Sequence, residues 1–356
     1  MCTSKGIDFS GQDFFLGLDV HARQWRVTIR YHDMELKTFS MDPSPSILAR
    51  HMHRHYPGGR SHSVYEAGFC GFWIHRELSR LGFDNIVVHP ADVPTSNKEK
   101  DRKSDAVDSR KLARELASKK LKGIYVLDEF HEQLRSLVRL RGKITTNSTR
   151  VKNRIKSYLY VNGIAIPPRS ECSHWSNNFI RWLENLEFAF PAGSQYLRLC
   201  IDELRYHRQQ LTQVTTSLRT LARSSGINHI IELLRSVPGI GFVTAITYYA
   251  ELVDMDRFAG ADRLAGFVGL VPSVSGSGIT EHVRGLTKRR NRYLRYLIIE
   301  AAWRAIRKDE ALLYSFNQLT KRMKKQEAII RIARKLLNRL RSVWRKEIPY
   351  RPGVMA

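Results

Sequence analysis

The first third of the chain switches between a hydrophobic period of two and one near 3.6. An apolar run from Phe14 to Val20 is followed by Gln24 to Tyr31, where Trp25, Val27 and Ile29 alternate with basic and polar residues. Glu35 to Met41 reads as a third strand. Alternation at period two marks half-buried strands, so the three predict an antiparallel meander. Pro45 to Tyr56 predicts a helix, Ser63 to Glu66 a strand, Gly71 to Leu81 an amphipathic helix, and Asn85 to Pro90 a further buried strand. A meander followed by βαβ units predicts an α/β domain with a mixed sheet.

The polar stretch Ala91 to Lys103 leads into a helix over Ser104 to Lys120, rich in strong formers (Leu112, Ala113, Leu116, Ala117). From Leu134 a basic helix runs to about Tyr160, where Asn162-Gly163 and Pro167-Pro168 break it. A second long helix from Gln195 to Arg223 spaces Leu197, Ile201, Leu204, Leu211, Val214, Leu218 and Leu221 mostly three or four apart. Two long helices around a break predict an antiparallel coiled hairpin, a spacer or a dimer surface. Trp175, Phe179, Trp182, Phe188 and Phe190 between them predict a small local core. Ile230 to Lys346 is mostly helical, with apolar stripes at Leu294, Leu297, Ile298, Ala301, Ala305 and at Ile329, Ile332, Leu336, Leu340. The expected domains are therefore 1–128, 129–229 and 230–356.

Composition changes the picture in one respect. At 26% charged and 42% hydrophobic residues the chain is globular in type, yet 59 Lys and Arg against 34 Asp and Glu leave a net charge of +25. Between Arg284 and Lys346 there are 20 Lys and Arg against 4 Asp and Glu. Such a surface attracts polyanions, nucleic acid above all. No apolar run approaches the roughly 18–20 residues needed to span a bilayer, and Met1 to Ser10 has no signal-peptide core. Cys2, Cys70, Cys172 and Cys200 form no CxxC pair, which fits thiols in a reducing cytosol. The expectation is a soluble cytoplasmic protein with no membrane partner.

Asp19 ends one predicted strand and Glu66 another, while Asp105 and Asp108 share one face at the start of a helix. Singly, these are a strand terminator, a surface acid and a helix N-terminal pair. Converging at one sheet edge, they make the all-oxygen site that Mg²⁺ requires, and two such ions promote phosphoryl transfer. Pro238-Gly239-Ile240-Gly241 between helical segments reads as a helix-hairpin-helix turn, whose amides suit a phosphate, or as a plain connector. Further on, Ser273, Ser275 and Ser277 lie in a Ser/Gly loop ahead of Arg284, Lys288, Arg289, Arg290, Arg292 and Arg295. The loop is a linker or the carrier of a nucleophilic hydroxyl with cations to hold a phosphate. Spacing does not choose among the three serines. Tyr293, Tyr296, Trp303 and Trp344 interleave with the charges, as core residues or as stacking platforms for bases.

Gly17-Leu18-Asp19-Val20-His21, Tyr65-Glu66-Ala67-Gly68 and Lys103-Ser104-Asp105-Ala106-Val107-Asp108 together resemble, in order, the DEDD motifs of a RuvC-like transposase family, the insertion-sequence one-ten family. Ser236 to Gly241, Phe267-Val268-Gly269-Leu270-Val271-Pro272, the Ser/Gly loop and Gly285-Leu286-Thr287-Lys288 resemble its C-terminal domain. The chain departs from the family at His21 to Gln24, where a lysine is usual.

The resemblance implies an RNase H-like (RuvC-like) N-terminal domain, a coiled-coil connector and a mostly α C-terminal domain with a helix-hairpin-helix element. It implies a DNA recombinase that moves an insertion sequence, with Mg²⁺ or Mn²⁺ on Asp19, Glu66, Asp105 and Asp108. The nucleophilic serine falls at Ser277, with Ser275 the alternative because the loop repeats the Ser-Gly dipeptide. Nucleic acid would meet Pro238, Gly239 and Gly241 and the basic residues named above. The implied partners are donor and target DNA, a structured non-coding guide RNA, and further copies of the chain in a dimer or a tetrameric active complex. The implied setting is bacterial or archaeal, at the nucleoid when bound to DNA. The competing readings are a junction resolvase that uses water, a non-catalytic nucleic-acid-binding protein and an actin-like phosphotransferase. The last lacks convincing phosphate loops.

Overall fold

The computed structural model describes residues 8–94, 105–277, 280–287 and 290–352, with the side chains of 105–106, 273–277 and 280–284 outside the description. The chain divides into two compact units that meet in sequence at Leu127 and Asp128.

Unit 1 is built on five strands: β1 (Asp13–Val20), β2 (Trp25–Tyr31), β3 (Met34–Met41), β4 (Arg60–Glu66) and β5 (Asp84–Val88), in the order β3-β2-β1-β4-β5. β1 pairs antiparallel with β2 and parallel with β4, so the sheet is mixed and β1 lies at its centre. A central strand is covered on both faces. On one face Phe14, Leu16 and Leu18 join Leu48 and Met52 of α1 (Pro45–His55) and Ile74 and Leu78 of α2 (Trp73–Arg80) in one core. On the other face α3 (Asp105–Ala117) covers the sheet, with Leu112 packed beside Val64 and Val88. This arrangement is consistent with the RNase H-like fold that the resemblance implies.

Unit 2 opens with two long helices, α4 (Glu129–Val161) and α6 (Pro191–Ser224), separated by α5 (Asn177–Glu184). Asp128 caps α4 by accepting from the His131 amide at 2.7 Å. The helices run antiparallel: Arg141 bonds Thr215, Arg154 bonds Glu203 and Tyr158 bonds the Gly193 carbonyl. At the far end Phe179, Ile180 and Leu183 of α5 close a core with Val151, Ile155, Leu159 and Ile201, and Trp175, Trp182 and Phe188 pack on it. The expected local core is present without Phe190, which is 75% exposed.

The near end of the helix pair has no separate core. Leu134, Val138, Val214 and Leu218 share one with α7 (Asn228–Arg235), α8 (Phe242–Leu252), α9 (Ala261–Val268), α10 (Arg292–Ala305), α11 (Glu310–Thr320) and α12 (Lys325–Lys346). The chain expected to divide near residue 230 is thus continuous in packing there. Inside this core Glu251 of α8, with its side chain 1% exposed, accepts a two-pronged bond from Arg139 (2.6 and 2.9 Å) and one from Asn291 (2.8 Å), and Arg135 approaches to 3.4 Å.

One element differs from expectation. The Ser/Gly loop is a strand, β6 (Pro272–Ser277), paired antiparallel with β7 (Thr280–Leu286). Its small residues carry one apolar position, Val274, too few to display a period of two. The pairing partner supplies the order that local pattern does not.

Candidate active site

Gly17 explains how the acids of unit 1 are brought together. A Cβ on this residue would lie 2.0 Å from the Ser109 carbonyl oxygen and 2.4 Å from the Ala113 amide nitrogen. Only a glycine in β1 lets α3 rest so closely on the strand. The contact is pinned by a hydrogen bond between Thr28 and Ser109 at 2.9 Å, both buried.

Two residues past Gly17 on the same face comes Asp19. In the register that pairs Leu18 with Tyr65, the neighbouring position on β4 is Glu66. Parallel strands lie about 4.8 Å apart, so the two acids stand side by side at the strands' C-terminal ends. Asp108 projects from α3 toward the same edge. The link is Lys111, one turn on, whose side chain is 8% exposed and whose Nζ lies 3.2 Å from Asp108 Oδ1 and 3.9 Å from Glu66 Oε1. Those distances hold the two carboxylates within about 7 Å of one another, roughly what one ammonium spans when it faces two acids. His21 Nε2 lies 3.2 Å from Asp19 Oδ2. Asp105 begins α3 one turn before Asp108, with its side chain outside the description.

Three of the four expected acids therefore sit at one sheet edge. Their oxygen donors suit a hard divalent ion in type. Among the described residues no three His, Cys, Asp or Glu side chains form a metal-holding group, and Asp105 is not in that set. Sequence reasoning missed Lys111. Its one visible signal is a spacing of three from Asp108 on a helix whose neighbouring positions, Leu112 and Ala113, are apolar.

The expected nucleic-acid residues fall in unit 2. Pro238, Gly239 and Gly241 form the turn between α7 and α8. Gly239 has φ +86°, and a Cβ there would meet the Ala301 carbonyl at 2.5 Å, so this glycine serves packing against α10. Nothing lies within 4 Å of a Cβ on Gly241, at the N-terminus of α8. Arg290 is exposed, and both it and Arg295 bond the Thr287 carbonyl, at 3.5 and 3.3 Å. Burial, and then Arg290 beside it, lowers the pKa of Arg295. Arg292 is exposed on the first turn of α10.

Ser275 pairs with His282, Ser277 with Thr280 and Ser273 with Arg284 across the β6–β7 hairpin, while the side chains of these serines and of Arg284 lie outside the description. Lys288 and Arg289 lie outside the described residues altogether. Beside the base of the hairpin, Pro272 and Leu286 face Arg331, Arg334 and Lys335 of α12 across a cavity of 1060 Å³. Of the four interleaved aromatics, Trp344 stacks on Tyr249, Trp303 meets Phe316 edge-on and Tyr293 lies under Arg139, which leaves Tyr296 exposed. No helix among the described residues is long and apolar enough to cross a membrane.

Two family models match in sequence order. A DEDD transposase model described as "Transposase" matches residues 16–161, and "Transposase IS116/IS110/IS902 family" matches residues 231–318. Two proteins of Sinorhizobium fredii, named "Putative transposase y4qE" and "Putative transposase y4rJ", are 30% and 29% identical to this chain, over 67% and 77% of its length. The transposase for insertion sequence element IS1111A of Coxiella burnetii is 24% identical over 67% of this chain. The matches span 57%, 74% and 64% of the three relatives, between about half and three quarters of their lengths. With the acid-bearing sheet edge inside the first match and the turn and hairpin of unit 2 inside the second, the chain belongs to the IS116/IS110/IS902 family of insertion-sequence transposases.

Proposed function

We propose that the protein is a DNA recombinase that cuts and rejoins the ends of an insertion sequence through a covalent phosphoserine. The observation that supports this reading is the buried Lys111, 3.9 Å from Glu66 and 3.2 Å from Asp108, at the sheet edge where the strands carrying Asp19 and Glu66 end side by side. Acids gathered at a sheet edge in a chain of net charge +25 serve a polyanionic substrate poorly unless they hold cations.

Asp19, Glu66, Asp105 and Asp108 are the residues that would hold Mg²⁺ or Mn²⁺. A bound divalent ion supplies Lewis-acid stabilisation of charge on phosphoryl oxygens. The hydroxyl of Ser277, or of Ser275, attacks the phosphorus of the scissile diester. A serine O–P bond forms, the bond to the leaving deoxyribose oxygen breaks, the hydroxyl loses its proton and the leaving oxygen gains one. The diester is conserved in the phosphoserine, so a second strand's hydroxyl can reverse the step without ATP. Arg284, Lys288, Arg289, Arg290, Arg292 and Arg295 hold the strand, and the turn at Pro238, Gly239 and Gly241 meets backbone phosphates. A structured guide RNA, donor and target DNA and further copies of the chain complete the working complex, and the paired helices α4 and α6 serve as a coiled connector.

The test is a trapping assay with the full chain, Mg²⁺, labelled element-end DNA and the RNA that copurifies from cells carrying the element. A protein–DNA adduct that survives denaturant is expected, abolished by Asp108→Asn and by Ser277→Ala. If Ser277→Ala is silent and Ser275→Ala abolishes the adduct, the alternative serine is the nucleophile. Cleavage that persists without any adduct in both serine variants makes the protein a water-using resolvase and overturns the proposal.

A further inference from the structure

A cavity of 520 Å³ opens between α4 and α10, inside unit 2 and lined by Gly142, Lys143, Thr146, Asn147, Arg150, Arg292, Tyr293 and Tyr296. Lys143, Asn147 and Arg150 sit at i, i+4 and i+7, which places them along one face of α4. Arg292 and Tyr296 are one turn apart on α10, about 6 Å along its axis. No carboxylate lines the cavity, and Lys143, Arg150 and Arg292 pair with none among the described residues. Three cations along one cleft with no carboxylate in its lining suit an anionic ligand.

The walls are fixed. A Cβ on Gly142 would lie 2.8 Å from the ring of Tyr293, so that glycine sets how closely α10 approaches α4. Tyr293 is held in turn beneath the Arg139 guanidinium at 5.6 Å. Asn291 accepts from the amides of Tyr293 and Leu294 at 3.1 Å, so these donors of α10 are already satisfied. Thr146 Oγ1 donates to the Gly142 carbonyl at 3.2 Å and Asn147 Oδ1 accepts from Arg150 at 3.4 Å, so what faces a ligand is the set of cations and the ring of Tyr296, which is 65% exposed.

We infer that this cleft seats one unpaired nucleotide of a nucleic-acid strand, its flanking phosphates on Lys143, Arg150 and Arg292 and its base on the face of Tyr296. A duplex keeps its base faces inside the stack, whereas an unpaired base offers a flat surface to an aromatic ring. The volume falls in the range typical of sites for single small ligands, about 300–1,000 Å³. The inference rests on the nucleic-acid reading above, with which it shares Arg292. It adds Lys143, Arg150 and Tyr296 to the binding surface.

The test measures binding of the full chain by fluorescence anisotropy to four labelled probes of about 20 units, longer than one binding site. The probes are oligothymidine, oligouridine, an abasic strand of the same length and a duplex. Tyr296→Leu is expected to weaken binding of a single strand roughly tenfold, with the abasic strand and the duplex unchanged and Tyr296→Phe like the parent. The strand, RNA or DNA, that suffers the larger loss identifies the occupant. Replacing Lys143, Arg150 and Arg292 by glutamine is expected to reduce the slope of log affinity against log salt by about 1.4 for single strands, roughly 0.7 for each of the two flanking phosphates. Equal losses on the abasic and normal strands reduce the cleft to a phosphate site and overturn the inference, as does no loss on either. So does polyglutamate competing as well as the oligonucleotides. If the parent protein binds no probe, the recombinase reading falls as well; if it binds and the variants match it, only the cleft falls.

Discussion

Replacing Gly17 by alanine tests how the acidic edge is assembled. The added methyl carbon would stand 2.0 Å from the Ser109 carbonyl oxygen, against the 3.4 Å at which ordinary contact begins. To restore that distance α3 has to withdraw by about 1.4 Å, or β1 has to bend by as much. Both near atoms belong to backbone, so no side-chain rotation relieves the clash. Overpacking of this kind costs about 1–3 kcal/mol, and the rigidity of the neighbours puts Gly17→Ala at the upper end. For a unit of this size the loss lowers the melting temperature by on the order of 10 °C. Asp108 and Lys111 ride on α3, so the same withdrawal moves them away from Asp19 and Glu66. A displacement of about 1 Å in a reacting geometry lowers rates by roughly a hundredfold. Thermal melts followed by circular dichroism and DNA cleavage rates together provide the assay. Gly266→Ala is the control: it lies in α9 with nothing within 4 Å of the added carbon, and gains about 0.5–1 kcal/mol from helix propensity. A Gly17→Ala protein that melts with the parent and cleaves DNA at the parent rate refutes the account of the strand–helix contact.

Lys111→Met removes the cation between Glu66 and Asp108. Its melting temperature in EDTA should fall by a few degrees, about 1–2 kcal/mol, and recover in millimolar Mg²⁺ more than the parent's does; an equal response to Mg²⁺ in both proteins counts against the site. Glu251→Gln leaves Arg135 and Arg139 facing a neutral group in the core, and urea unfolding should register a loss of about 3 kcal/mol. Burial, and then its hydrogen bond to Asp309, pushes the Tyr350 phenol up to about 12 from 10.0. The unfolded phenol ionises first, so this contribution to stability is complete below pH 10 and is lost as pH rises toward 12. Ultraviolet titration should show a late-ionising tyrosine that Tyr350→Phe removes. Burial raises the Asp309 pKa, but bonds from Tyr350, the Leu312 amide and Arg339 outweigh it and the net shift is downward. Its contribution is present above its unfolded value of 3.8 and fades as pH falls through the lower folded value. Acid unfolding of Asp309→Asn against the parent measures it.

In unit 1, β2 was legible because alternating burial writes a period of two into the sequence, β1 and β5 were legible as short apolar runs, and α3 through its strong helix formers. The acids were legible for a related reason: Asp19 and Glu66 interrupt apolar runs at points where strands end, and Asp108 opens a helix. The long pair α4 and α6 announced itself through leucines three and four apart. Less could be read where order depends on a partner. β6 has one apolar side chain and forms only against β7. Phe190 looks like a core residue among other aromatics, yet it is exposed. Glu251 sits in an apolar helix with no local hint that two arginines more than a hundred residues earlier would neutralise it.

The chain by itself determined the kinds of element, the basic character of the C-terminal half and which acidic residues stand at element ends. Only the tertiary structure decided that Gly17 is the saddle for α3, that Lys111 lies between two carboxylates, and that Gly239 serves packing. Periodicity records whether a side chain is buried, a property of one residue and its own element. The identity of the neighbour across a contact is a property of two distant segments, and it exists only once the chain has folded.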